Sequence, residues 1–374
     1  MRCALGLARR GRGYVEPNPM VGCVMVKHGA VIGKGYHRRY GQAHAEVEAL
    51  RACSRNGADP AGSDVHVTLE PCAHFGKTPP CADALIDAGV ARVFVALADP
   101  FEKTAGRGIQ KLRDAGITVI ENLCHNAART LNAPYLKRTT TGLPWVIAKW
   151  AQTLDGRIAG VDGDSRWISG PTSRRFVHRL RAHVDAIIVG ISTVLVDDPM
   201  LTARNVPIRR VARRVAIDPQ LRIADHMNLL ATADALHPVT VAISREVLTT
   251  QAARVKTLVK HGVEIVDLPA DDRHPSHLQL HPLLAHLAQV HAATNVLVEG
   301  GGKLIGSLLE QHLIDQVYAF VAPKLLGDAY GVPVAAGLSR RRIKECDRLK
   351  LSAIKRLDDD VLLDYRTGAA DVTS

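Results

Sequence analysis

Aromatic side chains are scarce in this chain, because Phe, Trp and Tyr together make up only 4% of its 374 residues. Proteins that hold single-stranded nucleic acid stack the bases on aromatic side chains, so this scarcity argues against such a partner. No apolar run approaches the ~18 residues of a membrane-spanning helix, and Met1 to Arg12 lacks the apolar centre of a secretory signal. The sequence therefore predicts a cytoplasmic protein that binds neither nucleic acid nor membrane.

Acidic residues are outnumbered, since 48 Lys and Arg stand against 37 Asp and Glu and give a net charge of +11. Residues 1–141 contain 19 basic and 12 acidic side chains, and the remainder contains 29 and 25, so the surplus is not concentrated in a tail. A basic surplus indicates an anionic partner, and a phosphorylated small molecule satisfies it as well as a nucleic acid does. The cysteines at positions 3, 23, 53, 124 and 346 show no disulfide spacing.

The two remaining cysteines, Cys72 and Cys81, combine with His44 into a set of three zinc ligands. Three protein ligands are typical of a catalytic zinc that keeps its fourth position open. Glu46 follows His44 by two residues, and this spacing suits a proton carrier for a metal-activated water better than a fourth ligand. The pattern matches the signature of zinc nucleobase deaminases, except that eight residues rather than two separate the cysteines.

The first half of the chain alternates predicted strands with predicted helices, which is typical of an α/β sandwich with helices on both faces. Helix starts are expected at His44 and Cys81, where the positive end of the helix dipole favours anionic ligands. The expected elements of this half are strands at 21–26, 31–33, 64–69, 91–97 and 117–120 and helices from His44, over 81–88 and over 106–115.

A polar stretch over residues 136–144 contains Gly and Pro and predicts a domain boundary, which divides the chain into 1–141 and 142–374. A second α/β module is expected after it. Its expected elements are strands at 145–151, 186–190, 214–217, 239–244, 264–268 and 295–299 and helices over 171–183, 282–290 and 304–312.

Three glycines, Gly300 to Gly302, stand between a predicted strand and a predicted helix. Backbone N–H groups at such a helix start bind phosphate, so the turn is either a nucleotide pyrophosphate site or a tight turn without a ligand. It lacks the spacing of the dinucleotide fingerprint. Gly76-Lys77-Thr78 likewise lacks the upstream glycine of a phosphate-binding P-loop.

Motifs over nearly the whole chain resemble the bacterial bifunctional RibD family of riboflavin biosynthesis, in which a pyrimidine deaminase is fused to a reductase. The motifs that carry the resemblance are Pro17-Asn18-Pro19, His44-Ala45-Glu46-Val47, Thr68-Leu69-Glu70-Pro71-Cys72, Gly76-Lys77-Thr78-Pro79-Pro80-Cys81, Leu154-Asp155-Gly156, Trp167-Ile168, Asp197-Asp198-Pro199, Val298-Glu299-Gly300-Gly301 and Ala322-Pro323-Lys324-Leu325-Leu326-Gly327. The long gap between the cysteines is a feature of this family.

The resemblance implies a cytidine-deaminase-like α/β/α sandwich followed by a dihydrofolate-reductase-like α/β domain. It implies one zinc ion, NADPH and the substrate 2,5-diamino-6-ribosylamino-4(3H)-pyrimidinone 5′-phosphate. The ring amino group is hydrolysed, and the ribosyl group is then reduced to ribityl. His44, Cys72 and Cys81 would hold zinc, Glu46 would carry protons, and the substrate contacts would be Asn18, His37, His74, Lys77 and Thr78.

In the second half, the resemblance assigns two further sets of residues. The substrate set is Lys149, Ser165, Arg181, Leu201, Arg204 and Glu299, with Arg181 and Arg204 as the expected clamp on the 5′-phosphate. The NADPH set is Ala151, Trp167, Thr193, Asp197, Gly301, Gly302, Lys303, Leu304, Ile305, Gly306 and Ser307. Pro219 departs from the family pattern beside the expected cofactor site, and the first helix is a few residues short. A homo-oligomer, most simply a dimer, is expected.

Two other interpretations remain open from the residues. One is a zinc deaminase acting on a nucleic acid such as tRNA, with the second half as an RNA-binding appendage. It shares the zinc ligands and the basic charge, but it gives no role to the glycine turn. The other is a scaffold in which zinc is purely structural. Asn18, between two prolines, is equally consistent with a substrate contact and with a simple turn residue.

Overall fold

The structure is a computed structural model, and it describes residues 1–75, 79–271, 277–340 and 342–368. The chain divides into two compact units, Met1–Leu143 and Pro144–Ser374, and the sequence-based boundary falls two residues before this division. In the described residues, no helix combines the length and apolar character needed to cross a membrane.

In the described residues of the first unit there are five strands and five helices. They are α1 (Arg2–Ala8), β1 (Gly22–Lys27), β2 (Ala30–Tyr36), α2 (Ala45–Arg55), β3 (Asp64–Val67), α3 (Cys81–Asp87), β4 (Arg92–Val95), α4 (Arg107–Asp114), β5 (Thr118–Ile120) and α5 (His125–Thr141), with a short 3₁₀ turn at Arg9–Gly11.

The strands of the first unit form one sheet in the order β2-β1-β3-β4-β5. β1 is antiparallel to both β2 and β3, whereas β3, β4 and β5 run parallel. Alternate strand residues such as Met25 and Val65 pack into one core with α2, α3 and α4. A second core contains Leu5 of α1 and Leu131 of α5. The predicted sandwich with helices on both faces is confirmed.

Helix α5 was not predicted, and the expectation of an irregular stretch over 136–144 was wrong for most of its length, because the helix continues to Thr141. Pro134 lies inside the helix, where proline normally removes a hydrogen bond and breaks the pattern. Tertiary contacts outweigh this weak propensity. The buried Asn132 amide accepts a hydrogen bond from the Met20 N–H at 2.9 Å and donates to the Met20 carbonyl at 3.0 Å.

The second unit contains the remaining elements. They are β6 (Trp145–Gln152), β7 (Arg157–Ala159), α6 (Pro171–Arg181), β8 (Ala186–Gly190), α7 (Ile191–Asp197), β9 (Arg213–Ile217), α8 (Asn228–Ala231), β10 (Val239–Ser244), α9 (Arg245–Thr250), α10 (Ala252–Lys260), β11 (Glu264–Leu268), α11 (His281–Val290), β12 (Asn295–Glu299), α12 (Gly302–Glu310), β13 (Gln316–Val321), β14 (Val332–Pro333), β15 (Leu349–Leu357) and β16 (Asp360–Thr367).

Nine of these strands form a sheet in the order β11-β10-β9-β8-β12-β6-β13-β16-β15. The strands from β11 to β13 are parallel, and β16 and β15 extend the sheet antiparallel. The predicted α/β class of this unit is confirmed. The hairpin of β15 and β16 was not predicted, although its apolar and polar residues alternate on either side of the turn at Asp358.

The connections after β8 and β12 leave the sheet in different directions, because β8 is followed in sequence by its outer neighbour β9 and β12 by β13 on the far side of β6. In an open parallel sheet, ligands bind outside the carboxyl ends of the strands at such a switch point. The glycine turn after β12 lies at this place.

Candidate active sites

The three expected zinc ligands of the first unit lie together. The Nδ1 atom of His44 is 3.6 Å from the Cys72 sulfur and 3.3 Å from the Cys81 sulfur, and all three donor atoms lie within 4.8 Å of one another. Tetrahedral zinc with bonds of about 2.0–2.3 Å separates its ligand atoms by roughly 3.6 Å. The donor set and its spacing therefore fit a zinc ion with one further position.

Helix starts place two of these ligands. His44 is the residue that precedes α2, and Cys81 is the first residue of α3. The backbone N–H of Cys81 donates a hydrogen bond to the Cys72 sulfur at 3.3 Å. Hydrogen bonding from the Cys81 thiol, then from His44, holds the pKa of Cys72 well below its usual range despite partial burial. Cys72 therefore favours the thiolate form that binds metal.

Glu46 lies in the first turn of α2 and is buried. Burial raises the pKa of this carboxyl to about 7, and the neighbouring His44 charge opposes that rise. Its Oε2 atom has no hydrogen-bond partner within the described chain. A buried oxygen without a hydrogen-bond partner destabilises the folded protein. A ligand with a hydrogen-bond donor would satisfy this oxygen.

A cavity of about 430 Å³ opens beside the three ligands. Asn18, His37 and His74 line it together with Glu46, and their role as substrate contacts stays a prediction. Lys77 and Thr78 lie outside the described residues.

The side chain of Asn18, which lies between two prolines in the sequence, hydrogen-bonds to the His37 ring. The Asn18 Nδ2 atom donates to the His37 Nε2 atom at 3.2 Å, and the His37 Nδ1 atom donates to the Ala43 carbonyl at 3.1 Å. These partners assign the proton to Nδ1. Burial lowers the pKa of His37, which keeps the ring neutral. Asn18 lines the cavity, and its role as a substrate contact stays a prediction.

Sequence reasoning missed the far side of this cavity. Asp99, Thr104, Tyr135 and Arg138 also line it. The Tyr135 hydroxyl donates to Asp99 at 2.8 Å, and burial raises the pKa of Asp99. Asp99 lies in the loop that follows β4, and loops after strands are a usual place for binding residues. The two α5 residues carried no such signal because α5 itself was not predicted.

The loop after β4 is fixed by Glu70. Its carboxylate accepts hydrogen bonds of 3.0–3.2 Å from the backbone N–H groups of Asp99, Gly106, Gly108 and Ile109. The last two belong to the first turn of α4, whose N–H groups have no partners within the helix. Glu70 thereby holds the loop that carries Asp99 and Thr104 at the cavity.

In the second unit, Lys149, Arg181 and Glu299 form a buried charged cluster. Lys149 and Glu299 lie side by side on β6 and β12, with Nζ 3.8 Å from Oε2. Arg181 donates two hydrogen bonds to the Glu299 carboxylate, at 2.6 and 3.0 Å. Burial lowers the pKa of Lys149. For Glu299 burial acts to raise the pKa, but the Arg181 charge outweighs it, so the pKa lies below its usual value.

The two arginines of the expected phosphate clamp differ in their surroundings. Arg181 uses two donors on Glu299 and a third on the Thr202 carbonyl at 3.3 Å. Arg204 has an exposed side chain, and its backbone N–H donates to the His178 ring at 3.2 Å. The buried Leu201 lies three residues before Arg204, on the connection after α7. The clamp stays a prediction, and the exposed Arg204 is the better placed of its two members.

Three glycines at the start of α12 and within it, Gly301, Gly302 and Gly306, have different surroundings. Gly301 precedes α12, and a Cβ atom there would meet only the Thr193 hydroxyl, at 3.9 Å. A Cβ atom on Gly302 would lie 2.5 Å from the Pro333 carbonyl oxygen, and one on Gly306 would lie 1.9 Å from that of Ala336. The open side of the turn is therefore at Gly301 and Thr193, which fits a phosphate-bearing cofactor, whereas Gly302 and Gly306 are required by packing.

The other expected cofactor and substrate residues fall into two groups. Leu304, Ile305, Gly306 and Ser307 are buried, and Gln311 donates to the Ser307 hydroxyl at 3.0 Å, so packing within the unit accounts for them. Accessible positions are Ala151, Ser165, Trp167, Asp197 and Lys303. The Trp167 ring carries the Arg174 guanidinium 4.5 Å from its centre. Binding by either group stays a prediction.

Pro219 stands directly after β9 and Asp218, beyond the carboxyl end of that strand. The buried Asp218 accepts a hydrogen bond from the backbone N–H of Ile223 at 2.8 Å, which shapes the turn after the strand. A proline side chain offers no hydrogen-bonding group. A weaker cofactor contact at Pro219 therefore stays a prediction.

Comparison with known families gives two matches along the chain. Residues 1–97 match the cytidine and deoxycytidylate deaminase zinc-binding region, and residues 144–363 match the RibD C-terminal domain. The second match leaves no basis for the alternative of an RNA-binding appendage. The first covers His44, Cys72 and Cys81 within a zinc-binding region of an enzyme family, and this disfavours a purely structural zinc.

Individual relatives match over nearly the full length. The riboflavin biosynthesis protein RibD of Escherichia coli is 40% identical, with 97% of each chain covered, and that of Aquifex aeolicus is 36% identical, with 98% of this chain and 97% of the relative covered. Among solved structures, Acinetobacter baumannii RibD is 36% identical with a TM-score of 0.84, covering 98% of this chain and 97% of its own.

A structure from Thermotoga maritima, 33% identical with a TM-score of 0.84 and the same coverage, is described as a diaminohydroxyphosphoribosylaminopyrimidine deaminase and 5-amino-6-(5-phosphoribosylamino)uracil reductase. The similarity therefore extends over both units of the chain.

Proposed function

The chain belongs to the RibD family of riboflavin-biosynthesis proteins, and we propose that its two reactions are divided between the two structural units. The protein is a bifunctional enzyme with a zinc-dependent deaminase and an NADPH-dependent reductase. In our proposal, residues 1–143 perform the deamination and residues 144–374 the reduction. The proposed substrate is 2,5-diamino-6-ribosylamino-4(3H)-pyrimidinone 5′-phosphate, in agreement with the name of the Thermotoga maritima relative.

The geometry around Glu46 is the observation that carries the deaminase assignment. His44, Cys72 and Cys81 would hold zinc, which when bound activates a water molecule for attack on the amino-bearing ring carbon. The partnerless Oε2 atom of Glu46 would accept the proton of that water and deliver it to the departing amino group. A bound dication would lower the carboxyl pKa from about 7, so that Glu46 begins as the base.

The substrate ring would occupy the cavity beside Glu46. Asn18 would present its amide oxygen to the heterocycle, because its Nδ2 group is held by His37. His74 lies on the other side, with its Nδ1 atom 3.5 Å from the Thr104 hydroxyl. Substrate contacts by Lys77 and Thr78 remain part of the proposal through the family resemblance alone.

The reductase assignment rests on the cluster of Lys149, Arg181 and Glu299. NADPH supplies the hydride, which side chains cannot provide. Burial lowers the pKa of Lys149, so its ammonium group gives up a proton more readily than an exposed lysine does. We assign to it the proton that accompanies opening of the ribosyl ring, with Glu299 holding the ammonium group in place at 3.8 Å.

Cofactor and phosphate would lie on opposite sides of this cluster. The backbone at Gly301 would face the pyrophosphate of NADPH at the start of α12. The exposed Arg204 would contact the substrate 5′-phosphate, and Arg181 would act mainly by fixing Glu299.

A coupled assay tests whether the two reactions occur at separate sites. Ammonia release and NADPH oxidation are followed separately on the intact chain, first with the diaminopyrimidine substrate and then with its deaminated product. The proposal expects ammonia from the first compound only and NADPH oxidation with the second in the absence of ammonia release. NADPH oxidation that always requires ammonia release would contradict two separate sites.

We also infer a homodimer and a cytoplasmic location. β15 is the edge strand of the nine-stranded sheet, and its Leu351 and Ile354 are exposed. An apolar edge strand invites pairing with another strand, and we assign a second copy of the chain to it. Ile354→Glu should convert a dimer into a monomer in light scattering, whereas an unchanged mass would reject this surface. The dependence of the reductase on NADPH supports the proposed cytoplasmic location.

A further inference from the structure

A second cluster of metal-binding side chains lies in the reductase unit, apart from the catalytic residues. It consists of Glu264, the first residue of β11, His286 on α11 and His291, which directly follows α11. The donor atoms of the three side chains lie within 4.8 Å of one another. We propose that these residues bind a divalent transition-metal ion of the zinc class.

The two rings converge on one carboxylate oxygen. The Nε2 atom of His286 is 2.9 Å from Glu264 Oε1, and the Nε2 atom of His291 is 3.0 Å from the same oxygen. Zinc bonds to imidazole nitrogen and carboxylate oxygen measure about 2.0–2.2 Å. Such bonds separate neighbouring ligand atoms by roughly 3.0–3.5 Å. The two nitrogen–oxygen distances therefore already approach the spacing of zinc ligands, and the donor nitrogens of the two rings lie within 4.8 Å of each other.

The carboxylate is oriented by partners on its other oxygen. Glu264 Oε2 accepts hydrogen bonds from the Thr240 hydroxyl at 2.6 Å and from Arg213 at 3.1 Å. Metal-binding carboxylates are usually held by such outer partners. The Arg213 charge also repels a cation, so this site is expected to bind metal more weakly than the site of His44, Cys72 and Cys81.

The position in the sheet separates this cluster from the reductase chemistry. Arg213 and Glu264 are the first residues of parallel strands β9 and β11, so they lie at the amino ends of those strands. Glu299 ends β12, which runs in the same direction. A metal here would join α11 to the edge strand β11 and would have no part in hydride transfer.

The chemistry of the ligands selects the ion class. Two imidazoles and one carboxylate suit zinc, nickel or copper, whereas magnesium and calcium prefer sites built of oxygen alone. The three side chains are between 23% and 28% exposed, so water can complete the coordination and the ion can enter without unfolding.

Zinc stoichiometry tests the proposal on the full chain. The protein is freed of metal with a chelator, dialysed against low-micromolar free zinc and analysed for bound metal. Two ions per chain are expected for the parent and one for His286→Gln or His291→Gln. His261→Gln, which replaces an exposed histidine of the same unit, should retain two. Equal stoichiometry in the parent and in both cluster variants would overturn the proposal.

Cobalt(II) separates the two sites spectroscopically. Cobalt at the site with Cys72 and Cys81 gives a sulfur-to-metal charge-transfer band, whereas cobalt at the second site has only weak visible bands. His291→Gln should lose the weak component and keep the charge-transfer band, and Cys72→Ser should do the reverse. NADPH binding by His291→Gln, measured in parallel, shows that the unit is folded. A parent protein that saturates with the charge-transfer band alone would contradict the second site.

Discussion

Two buried glutamates, Glu46 at the start of α2 and Glu299 at the end of β12, have surroundings that move their pKa values in opposite directions. Around Glu46, burial raises the pKa to about 7 and one oxygen has no partner within the described chain. Around Glu299, the Arg181 charge overcomes burial and lowers the pKa. In the proposed function, the first carboxylate takes and releases a proton, whereas the second stays an anion that positions Lys149.

The two sites also differ in how they are assembled. The three expected zinc ligands, His44, Cys72 and Cys81, lie on two helix starts and on the loop before the second helix. The reductase cluster draws Lys149, Arg181 and Glu299 from distant parts of the chain, and they meet through the pairing of β6 with β12 and the hydrogen bonds from Arg181 at the end of α6. The spacing of residues along the sequence can predict the expected zinc site, but it cannot predict the reductase cluster.

The largest effect is expected for Cys72→Ser, which removes a thiolate from the local site and should abolish deamination together with metal binding there. Serine keeps the size of the side chain but is a poor zinc ligand. The measurement is ammonia release alongside the cobalt charge-transfer band. Cys3→Ser, at an exposed cysteine, serves as the matched control. A variant that keeps both signals would remove Cys72 from the site.

Glu299→Gln breaks the dispersed site. It leaves Arg181 and Lys149 without their anion, and removing one partner of a buried ion pair typically costs about 3–5 kcal/mol. We expect a large loss of stability in the reductase unit, measured by denaturant unfolding of the full chain, and a parallel loss of NADPH oxidation. The exposed Glu246→Gln is the control. A stability equal to that of the parent would show that the cluster contributes little.

The lowered pKa of Glu299 also predicts how the stability of the protein depends on pH. Because the folded pKa of Glu299 is lowered, its contribution to stability is present above the unfolded value of about 4.3 and is lost as pH falls through the folded value. The unfolding midpoint of the parent should therefore fall more steeply below about pH 4 than that of Glu299→Gln. Parallel curves for the two proteins would contradict the assigned direction.

Arg204→Ala sharpens the comparison within the reductase unit. Losing a charged hydrogen-bond partner costs about 1.5–3 kcal/mol, or roughly a 10- to 150-fold loss of kcat/KM with the phosphorylated substrate. A dephosphorylated analogue should show a much smaller difference between the parent and the variant. The exposed Arg222→Ala is the matched control. An equal loss with both compounds would place Arg204 away from the phosphate.

The smallest expected effect distinguishes the glycines. Gly301→Val adds a side chain on the open face of the turn, so NADPH binding should weaken while stability is maintained. Gly306→Ala places its Cβ atom against the Ala336 carbonyl and should destabilise the unit by about 1–3 kcal/mol. NADPH titration and denaturant unfolding measured on both variants separate the two effects. Unchanged NADPH affinity in Gly301→Val would make the turn purely structural.

The limits of sequence reasoning follow from the same contrast. Spacing predicted that His44, Cys72 and Cys81 would meet, and the alternation of strands and helices predicted both α/β units. Tyr135 and Arg138 were missed because Pro134 obscured their helix, which long-range bonds from Asn132 to Met20 support. The cluster around Glu299 depends on the strand order β8-β12-β6, and periodicity along the chain does not encode that order.

The central claim is that the two units carry separable reactions, and Glu46→Gln tests it most directly. Glutamine keeps the shape of the side chain but cannot carry the proton, and positioned acid–base groups contribute about 10²–10⁴-fold. Both reactions are measured on one preparation of known zinc content, with the exposed Glu102→Gln as control. We expect the rate of deamination to fall by about 10²-fold or more. NADPH oxidation with already deaminated substrate should stay at the parent rate. A collapse of both reactions would contradict the separation of the sites.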